Sequence, residues 1–458
     1  MVDGVDKPLY LRRIDFEALV QNMTNLRELQ LAYANISSSV PQSLVNLSSL
    51  TSLSLSNCSL HGQFPTNIFL MPKLQTIDLS LNDLLTGFLP EFHSGSSLEL
   101  LDLASTSFFG KMPNSIANLE SLIKLDLSST KFSGEIPNAI GNLKSLNSLV
   151  LFSCNWSGEV PHSIGNLTQL SELSLSDNNF HSQLPSTLGN LANLMFLSLD
   201  NNLFHGEMPS GNLTQLEFLF LSNNSFDGSL LVSLTNLTQL KYIGLSQNQL
   251  IGPIPFEIGR LPQLTSIFLS SNSLTGTIPS SLFTMTSLNL LDLSQNRLTG
   301  PLKFQNISSS QFNYIDLSSN SLTGTIPSSL FTMTSLTDLD LSQNQLTGPL
   351  KFQNISSTLP QFTRLKLSSC NLREFPIFLK VQNELTDLDL SDNKIEGKVP
   401  RWFLNPPSSD YFGRREILTF CQARTVACGV LTSGFWRALM LATSESLRVI
   451  MTKRIPIV

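Results

Sequence analysis

The chain has 458 residues, a net charge of −6 and a charged fraction of only 14%, far below the ~25% that is typical of soluble proteins. The acidic balance and the scattered Lys and Arg argue against nucleic acid as a partner, and five Cys in this length exclude a disulfide-dense scaffold. No apolar run reaches ~18 residues, so we expect no membrane span in this chain.

The first residues precede the regular pattern, and we interpret 1–25 as a partial N-terminal flank or a degenerate repeat. The stretch from Met1 to Arg13 lacks the apolar core of a secretory signal peptide. No Cys stands before Leu26.

From 26 to 404 the sequence repeats with a period of 24, and sixteen copies, here called coils, follow one another. This period lies within the leucine-rich-repeat window. Each coil contains Leu-x-Leu, which alternates with period 2 and therefore predicts a short strand with both leucines facing inward. We predict an α/β-type right-handed solenoid with a parallel concave sheet and short 3₁₀ or irregular turns outside. The predicted central strand residues are Leu29, Leu53, Ile77, Leu101, Leu125, Leu149, Leu173, Leu197, Leu219, Ile243, Ile267, Leu291, Ile315, Leu339, Leu365 and Leu388.

An Asn follows the strand in many coils, and its side chain can bond the free backbone groups of adjacent coils as a stacked ladder. Cys58, Cys154 and Cys370 stand at this ladder position, where a small, partly buried residue fits. Cys58 and Cys154 are four coils, or ~19 Å, apart, which is too far for a disulfide.

The repeat pattern ends near residue 404, and the composition then changes. Residues 406–458 contain no Asn and hold seven Lys or Arg against three acidic residues. We interpret 405–458 as an atypical tail, either disordered or read-through sequence.

No Gly-rich phosphate loop, His-Glu-x-x-His motif or kinase catalytic loop is present in the sequence, so we expect neither an enzyme nor a cofactor. His181 and His205 are 24 residues apart, which suggests either a stacked pair ~5 Å apart that senses pH or two exposed rim residues. Seven aspartates share one column, and we favour a solvated concave face over a metal or acid–base site. They are Asp78, Asp102, Asp126, Asp292, Asp316, Asp340 and Asp389.

The variable strand positions are mostly Ser, Thr, Asp and Gln, but five of the six coils in the middle of the array carry aromatic residues. Exposed rings on a rigid sheet are typical of peptide or protein binding, although rings that pack on their neighbours, or that another domain covers, would also fit. The candidate ligand-binding residues are Phe152, Phe196, Phe218, Phe220, Tyr242 and Phe268, with Met195 beside them.

Asn-x-Ser/Thr sequons are numerous, which favours a secreted glycoprotein. Asn166, Asn212 and Asn236 share one position on the predicted convex side, where glycans would leave the concave face free. The candidate sites are Asn22, Asn35, Asn46, Asn57, Asn155, Asn166, Asn212, Asn223, Asn236, Asn306 and Asn354.

The Leu-x-Gly-x-Ile-Pro ending, present for example at 274–279, resembles the plant-specific class of leucine-rich repeats. The segment from Ser163 to Leu170 resembles the convex part of that class. The opening from Leu19 to Leu29 resembles plant receptor-like proteins of the disease-resistance type, including Verticillium wilt resistance receptors. The resemblance covers roughly 15–404. Members of that family carry a signal peptide, a Cys-paired cap and a membrane helix, so we expect this chain to be truncated at both ends.

The resemblance implies an extracellular recognition protein at the plasma membrane. It would bind a peptide or protein elicitor on its concave face and signal in plant defence or development through a co-receptor kinase. Two alternatives remain: a secreted leucine-rich-repeat inhibitor of a cell-wall-degrading enzyme, and a non-functional truncated fragment with exposed terminal coils.

Overall fold

The computed structural model describes residues 13–208, 211–230, 234, 236–304, 311–348, 359–397, 400 and 403. The chain forms two compact units, Met1–Leu240 and Lys241–Val458, here called the N-terminal unit and the C-terminal unit. The described part begins with an α-helix, Arg13–Asn22, which lies in the predicted flank and buries Phe16 and Val20. None of the helices within these ranges is long and apolar enough to cross a membrane.

A row of three-residue parallel strands forms one face of each unit, as the Leu-x-Leu pattern predicts. Neighbouring strands pair residue for residue, for example Leu149 with Leu173. The strands of the N-terminal unit are Glu28–Gln30, Ser52–Ser54, Thr76–Asp78, Leu100–Asp102, Lys124–Asp126, Ser148–Val150, Glu172–Ser174, Phe196–Ser198 and Phe218–Phe220. Those of the C-terminal unit are Tyr242–Gly244, Ser266–Phe268, Leu290–Asp292, Tyr314–Asp316, Asp338–Asp340, Arg364–Lys366 and Asp387–Asp389.

All sixteen predicted central residues lie in the middle of these strands, and every one of them is buried. The residues on either side of each central Leu or Ile face away from the core and are mostly half-exposed. The sequence therefore predicted the solenoid and the register of its inner strands correctly.

A second row of parallel strands follows the ladder position, and the sequence analysis missed it. The N-terminal unit has His61–Gln63, Asn82–Gly87, Thr106–Gly110, Lys131–Gly134, Asn155–Gly158, Asn179–Ser182, Leu203–Gly206 and Ser225–Phe226. The C-terminal unit has Ile251–Pro253, Ser273–Thr277, Arg297–Pro301, Ser321–Thr325 and Gln345–Thr347. These segments are extended, and stacking places them at strand spacing, so their free backbone groups pair. Most paired residues in this row are two residues closer in sequence than the 24-residue repeat, for example Thr275 and Arg297.

Short 3₁₀ helices form the outer turns, as predicted. A proline such as Pro137, at φ −70°, precedes each of them because its ring fixes the backbone needed at a helix start. They are Gln42–Asn46, Thr66–Leu70, Asn114–Asn118, Asn138–Asn142, His162–Asn166 and Ser186–Asn190 in the N-terminal unit. The C-terminal unit has Phe256–Arg260, Ser280–Thr284, Ser328–Thr332 and Ile377–Val381.

The predicted asparagine ladder is present. Asn178 Nδ2 donates to Leu151 O in the preceding coil (2.8 Å) and to Leu175 O in its own (3.1 Å), while its Oδ1 accepts from Trp156 N (3.0 Å). Where Cys58 replaces Asn, its thiol donates to Leu31 O (2.9 Å). These bonds satisfy backbone groups that the turns leave unpaired, so the ladder joins adjacent coils.

Aromatic rings add a second ladder inside the N-terminal unit. Phe132 stacks on Trp156 with ring centroids 5.9 Å apart, and Phe180 stacks on Phe204 at 6.0 Å. These side chains are completely buried, so each coil covers the apolar edge of the one before it.

The predicted tail, 405–458, lies outside the described residues, as do the candidate glycosylation sites Asn306 and Asn354.

Candidate ligand-binding surface

The inner strands of the N-terminal unit carry a cluster of half-exposed rings. Phe196 and Phe218 are register partners on adjacent strands, and their ring centroids are 6.3 Å apart. Phe220 follows one residue beyond the buried Leu219 and lies 5.4 Å from Phe196. We call Phe196, Phe218 and Phe220 the aromatic surface. Its rings pack on one another and still contact solvent, because this face of the strands has no hydrophobic core in which they could be buried.

Two further apolar side chains extend this region. Phe152 comes two residues after its strand and is 37% exposed, and Met195 precedes Phe196 and is 44% exposed. Between them lies the coil of Ser174 and Ser176, whose small side chains leave a low strip; Ser198 Oγ donates to Ser176 Oγ (3.1 Å). Ser174 pairs with Val150 and Ser198, and the small side chains of this coil leave room for a side chain from a bound partner.

The remaining candidate rings lie in the C-terminal unit. Tyr242 and Phe268 have centroids 5.5 Å apart. Phe268 pairs in register with Gly244, and the missing side chain at that position lets the Phe268 ring lean toward Tyr242. Both rings are half-exposed. All six candidate aromatics are therefore on an inner strand or within two residues of its end, and each of the two units has its own group.

Two acidic residues border the aromatic surface, and the sequence analysis did not single them out. Glu172 is the register partner of Phe196 on the preceding strand, and Ser148 Oγ donates to its carboxylate (2.7 Å). The Asp200 carboxylate accepts a hydrogen bond from Ser222 N. Burial raises the pKa of Asp200 to about 6, with the nearby charge of Asp177 adding to the rise.

The predicted aspartate column is less solvated than expected. Its carboxylates turn back on their own coil: Asp126 Oδ1 accepts from Ser128 N (3.1 Å) and from Ser128 Oγ (2.6 Å), and Asp340 makes the same bonds to Ser342. Half-burial raises the pKa of Asp102 and Asp316, and neighbouring aspartates contribute to it. The column thus shapes the turn after each strand.

Cations of the chain itself compensate part of this charge. Lys124 Nζ lies 3.0 Å from Asp102 and 3.5 Å from Asp126 in the N-terminal unit. In the C-terminal unit Lys366 Nζ lies 3.9 Å from both Asp340 and Asp387. Among the described residues, no group of three His, Cys, Asp or Glu is arranged to hold a metal ion.

Of the two interpretations of His181 and His205, the stacked pair is not formed and the two exposed rim residues are confirmed. In the second row of strands His181 pairs with Leu203, and His205 pairs with Ser225. Because the pairing in this row is offset by two residues, the two histidines are not register partners. On the inner strands, where the register follows the repeat, residues that are 24 apart would be partners. Both side chains are exposed, as the alternative interpretation expected.

Most described candidate glycosylation sites are exposed, and only Asn35 is half-buried, with its Oδ1 accepting from Ser37 Oγ (2.6 Å). Asn46 and Asn166 end 3₁₀ helices on the outer turns. Cys58, Cys154 and Cys370 are free thiols. Burial raises the pKa of Cys58 to about 11 and that of Cys370 to about 12, so neither is a nucleophile near neutral pH.

A one-residue insertion creates an apolar patch that the sequence analysis also missed. The strand pairing slips between Asn82 and Thr86, which moves Leu85 into the core and leaves Leu84 71% exposed. Phe88 and Phe109 are also exposed there. The signal was the spacing from Asn to the next Gly, which is longer by one residue here than in the other coils.

Comparison with known proteins finds leucine-rich repeats and, among solved structures, plant receptors. Seven segments match the family model described as Leucine Rich Repeat, at residues 49–71, 121–143, 169–191, 215–237, 263–285, 311–333 and 384–406. The chain is similar to the crystal structure of a TDR receptor, with 32% identity and a TM-score of 0.78 over 88% of this chain and 69% of that one. A search of curated protein sequences gives no match.

Two other solved structures are similar and contain a bound ligand. The Arabidopsis receptor kinase HAESA, in complex with the peptide hormone IDA and the co-receptor SERK1, has 33% identity and a TM-score of 0.75 over 86% of this chain and 66% of that one. The plant peptide hormone receptor RGFR1, in complex with RGF2, has 32% identity and a TM-score of 0.68 over 87% of this chain and 71% of that one.

Proposed function

This chain belongs to the leucine-rich-repeat receptor family of plants, and on that premise we propose that it binds a peptide or protein elicitor on the face formed by its inner strands. Binding would be relayed to a co-receptor kinase at the outer side of the plasma membrane, in defence or development. The chain would act by recognition and not as an enzyme. Glycans on the outer turns would leave the inner face open.

The aromatic surface carries this proposal. Most first and third strand positions are polar or small, whereas Phe196, Phe218 and Phe220 present three rings on adjacent rigid strands. Rings fixed in this way lose little conformational entropy on binding and bury a large apolar area, which is why aromatic residues dominate binding energies at interfaces. A peptide hormone bound to HAESA and a ligand bound to RGFR1 support the same class of ligand here.

Single-residue truncation tests the site. Phe220→Ala in the full chain should weaken binding of the elicitor by at least ~1 kcal/mol while the melting temperature stays near that of the wild type, because the ring is half-exposed. Phe109→Ala is the matched control, since it removes an exposed ring from the second row of strands. Calorimetry with apoplastic peptide fractions gives the affinity, and equal binding by both variants would refute the site.

A further inference from the structure

The charges around the aromatic surface say more about its ligand. We infer that this surface takes a peptide in which lysine or arginine stands beside an aliphatic or aromatic side chain. The inference rests on the proposed function and specifies the chemical class of the ligand at the same site.

The aromatic surface lies in a stretch of chain without cationic side chains of the Lys or Arg type. Residues 145–240 contain no Lys and no Arg, although Lys144 and Lys241 stand at its borders. The same 96 residues hold seven acidic side chains, namely Glu159, Glu172, Asp177, Asp200, Glu207, Glu217 and Asp227. A surface of one sign attracts a ligand of the other sign and discourages acidic peptides.

Two of these acids lie next to the rings. Glu172 is one strand away from Phe196 in register, or ~4.8 Å between backbones. Asp200 lies two residues beyond Ser198, the register partner of Phe220. A cationic group placed over either ring would gain a cation–π contact and a carboxylate at once.

The hydrogen bonds of these acids bring no cation to them, and Asp200 is charged above its pKa of about 6. Glu172 accepts from the hydroxyl of Ser148, and Asp200 accepts from the amide of Ser222. Asp177 Oδ1 accepts from Asn201 Nδ2 (2.7 Å). All three donors are neutral. By contrast, Asp102 and Asp126 share Lys124, so these earlier aspartates are already compensated within the protein.

The size of the region fits a short extended segment. From the strand Ser148–Val150 to Phe218–Phe220 there are three strand intervals, or ~14 Å, which four to five extended residues cover at ~3.3 Å each. Alternate side chains of such a segment face the protein. One apolar residue can therefore occupy the strip at Ser174 while a basic residue two positions away reaches Phe196 and Glu172.

Selection from a random library tests the inference without a known ligand. A randomised heptapeptide library displayed on phage is selected on the full chain, with counter-selection on the Phe220→Ala variant. We expect the retained peptides to be enriched in Lys or Arg one or two positions from Leu, Ile, Phe or Tyr. A retained set without excess Lys or Arg would overturn the charge inference and leave the proposed function standing. If no peptide depends on Phe220, the proposed function fails and the inference fails with it.

Charge variants then locate the contact. For a synthetic copy of one retained peptide, Glu172→Gln and Asp200→Asn should each weaken binding roughly threefold to tenfold at low salt and at a pH above the Asp200 pKa of about 6. Glu159→Gln and Glu207→Gln remove the same charge from exposed positions after the second row of strands and should change affinity less than twofold. A control peptide with Gln in place of its basic residue should bind the wild type and Glu172→Gln with the same affinity. Equal effects of all four variants would refute the placement.

Discussion

The asparagine ladder makes a quantitative prediction at Asn82, which is 1% exposed. Its Oδ1 accepts from Cys58 N (3.1 Å) and from Leu60 N (2.9 Å). Its Nδ2 donates to Leu55 O (2.9 Å) and to Leu79 O (2.8 Å). Asn82→Ala removes all of these bonds in one step and leaves the backbone groups of two coils buried without that partner.

Each buried backbone group that loses its partner costs about 1–3 kcal/mol. The two amides at the low end of that range contribute about 2 kcal/mol, and the two carbonyls, which keep other acceptor capacity, add a smaller amount. We therefore expect Asn82→Ala to lower the free energy of unfolding by about 3 kcal/mol. Asn142→Ala is the control, because Asn142 is exposed at the end of a 3₁₀ helix and should cost less than ~0.5 kcal/mol.

Urea unfolding followed by circular dichroism measures both variants, and hydrogen exchange locates the loss. The amides of Cys58 and Leu60 should exchange faster in Asn82→Ala than in the wild type, because local opening needs less free energy there. A loss below ~1 kcal/mol, equal to that of Asn142→Ala, would refute the idea that the ladder holds the coils together.

Three further predictions concern packing, pH and thiol chemistry. Gly165→Ala should cost about 1–3 kcal/mol in urea unfolding, because its Cβ would lie 2.3 Å from Thr187 O of the next coil; stability equal to that of Asn142→Ala would contradict this. Burial, and then the charge of Asp177, raise the pKa of Asp200 from 3.8 to about 6, so the folded protein holds this proton more tightly than the unfolded chain does. The stability gained from protonation is therefore complete below the ordinary pKa and is lost as the pH rises through about 6. Between pH 4 and pH 7 the free energy of unfolding of Asp200→Asn should therefore rise by about 1 kcal/mol relative to that of the wild type, after allowance for partial exposure. A difference between the two proteins that does not change with pH would contradict this prediction. Iodoacetamide at about pH 8 should leave Cys58 and Cys370 unmodified until urea is added, as read by peptide mass spectrometry, because burial raises their pKa to about 11 and about 12; rapid labelling of the native protein would contradict their burial.

The sequence supplied the features that repeat. Leu149 and Leu173 are partners in the sheet because each coil stacks on the next at constant spacing, and a period of 24 is enough to state that. The ladder followed from the same logic, since Asn178 bonds both Leu175 in its own coil and Leu151, which holds the same position one repeat earlier. Periodicity transmits such contacts because the core of a solenoid is built only from nearest neighbours.

Departures from the repeat had to come from the tertiary structure. His181 and His205 share a repeat position, yet the second row of strands is offset by two residues, and the offset depends on how the chain turns after the ladder. Leu84 is apolar yet exposed, because one inserted residue after Asn82 shifts the strand pairing. A rule of constant period has no means of predicting either result.

The candidate surface likewise combines features that the sequence predicted with features that only the tertiary structure decided. The aromatic positions were visible because they interrupt a run of Ser, Thr and Asp at known strand positions. The partnership of Glu172 with Phe196 is a cross-strand contact, and the raised pKa of Asp200 comes from its burial. The sequence by itself determined the fold, the inner register and the face on which the rings lie, because these depend on local pattern and stacking. Only the tertiary structure decided which charges accompany the rings and how exposed they are, because electrostatics and burial depend on neighbours a full coil away in sequence.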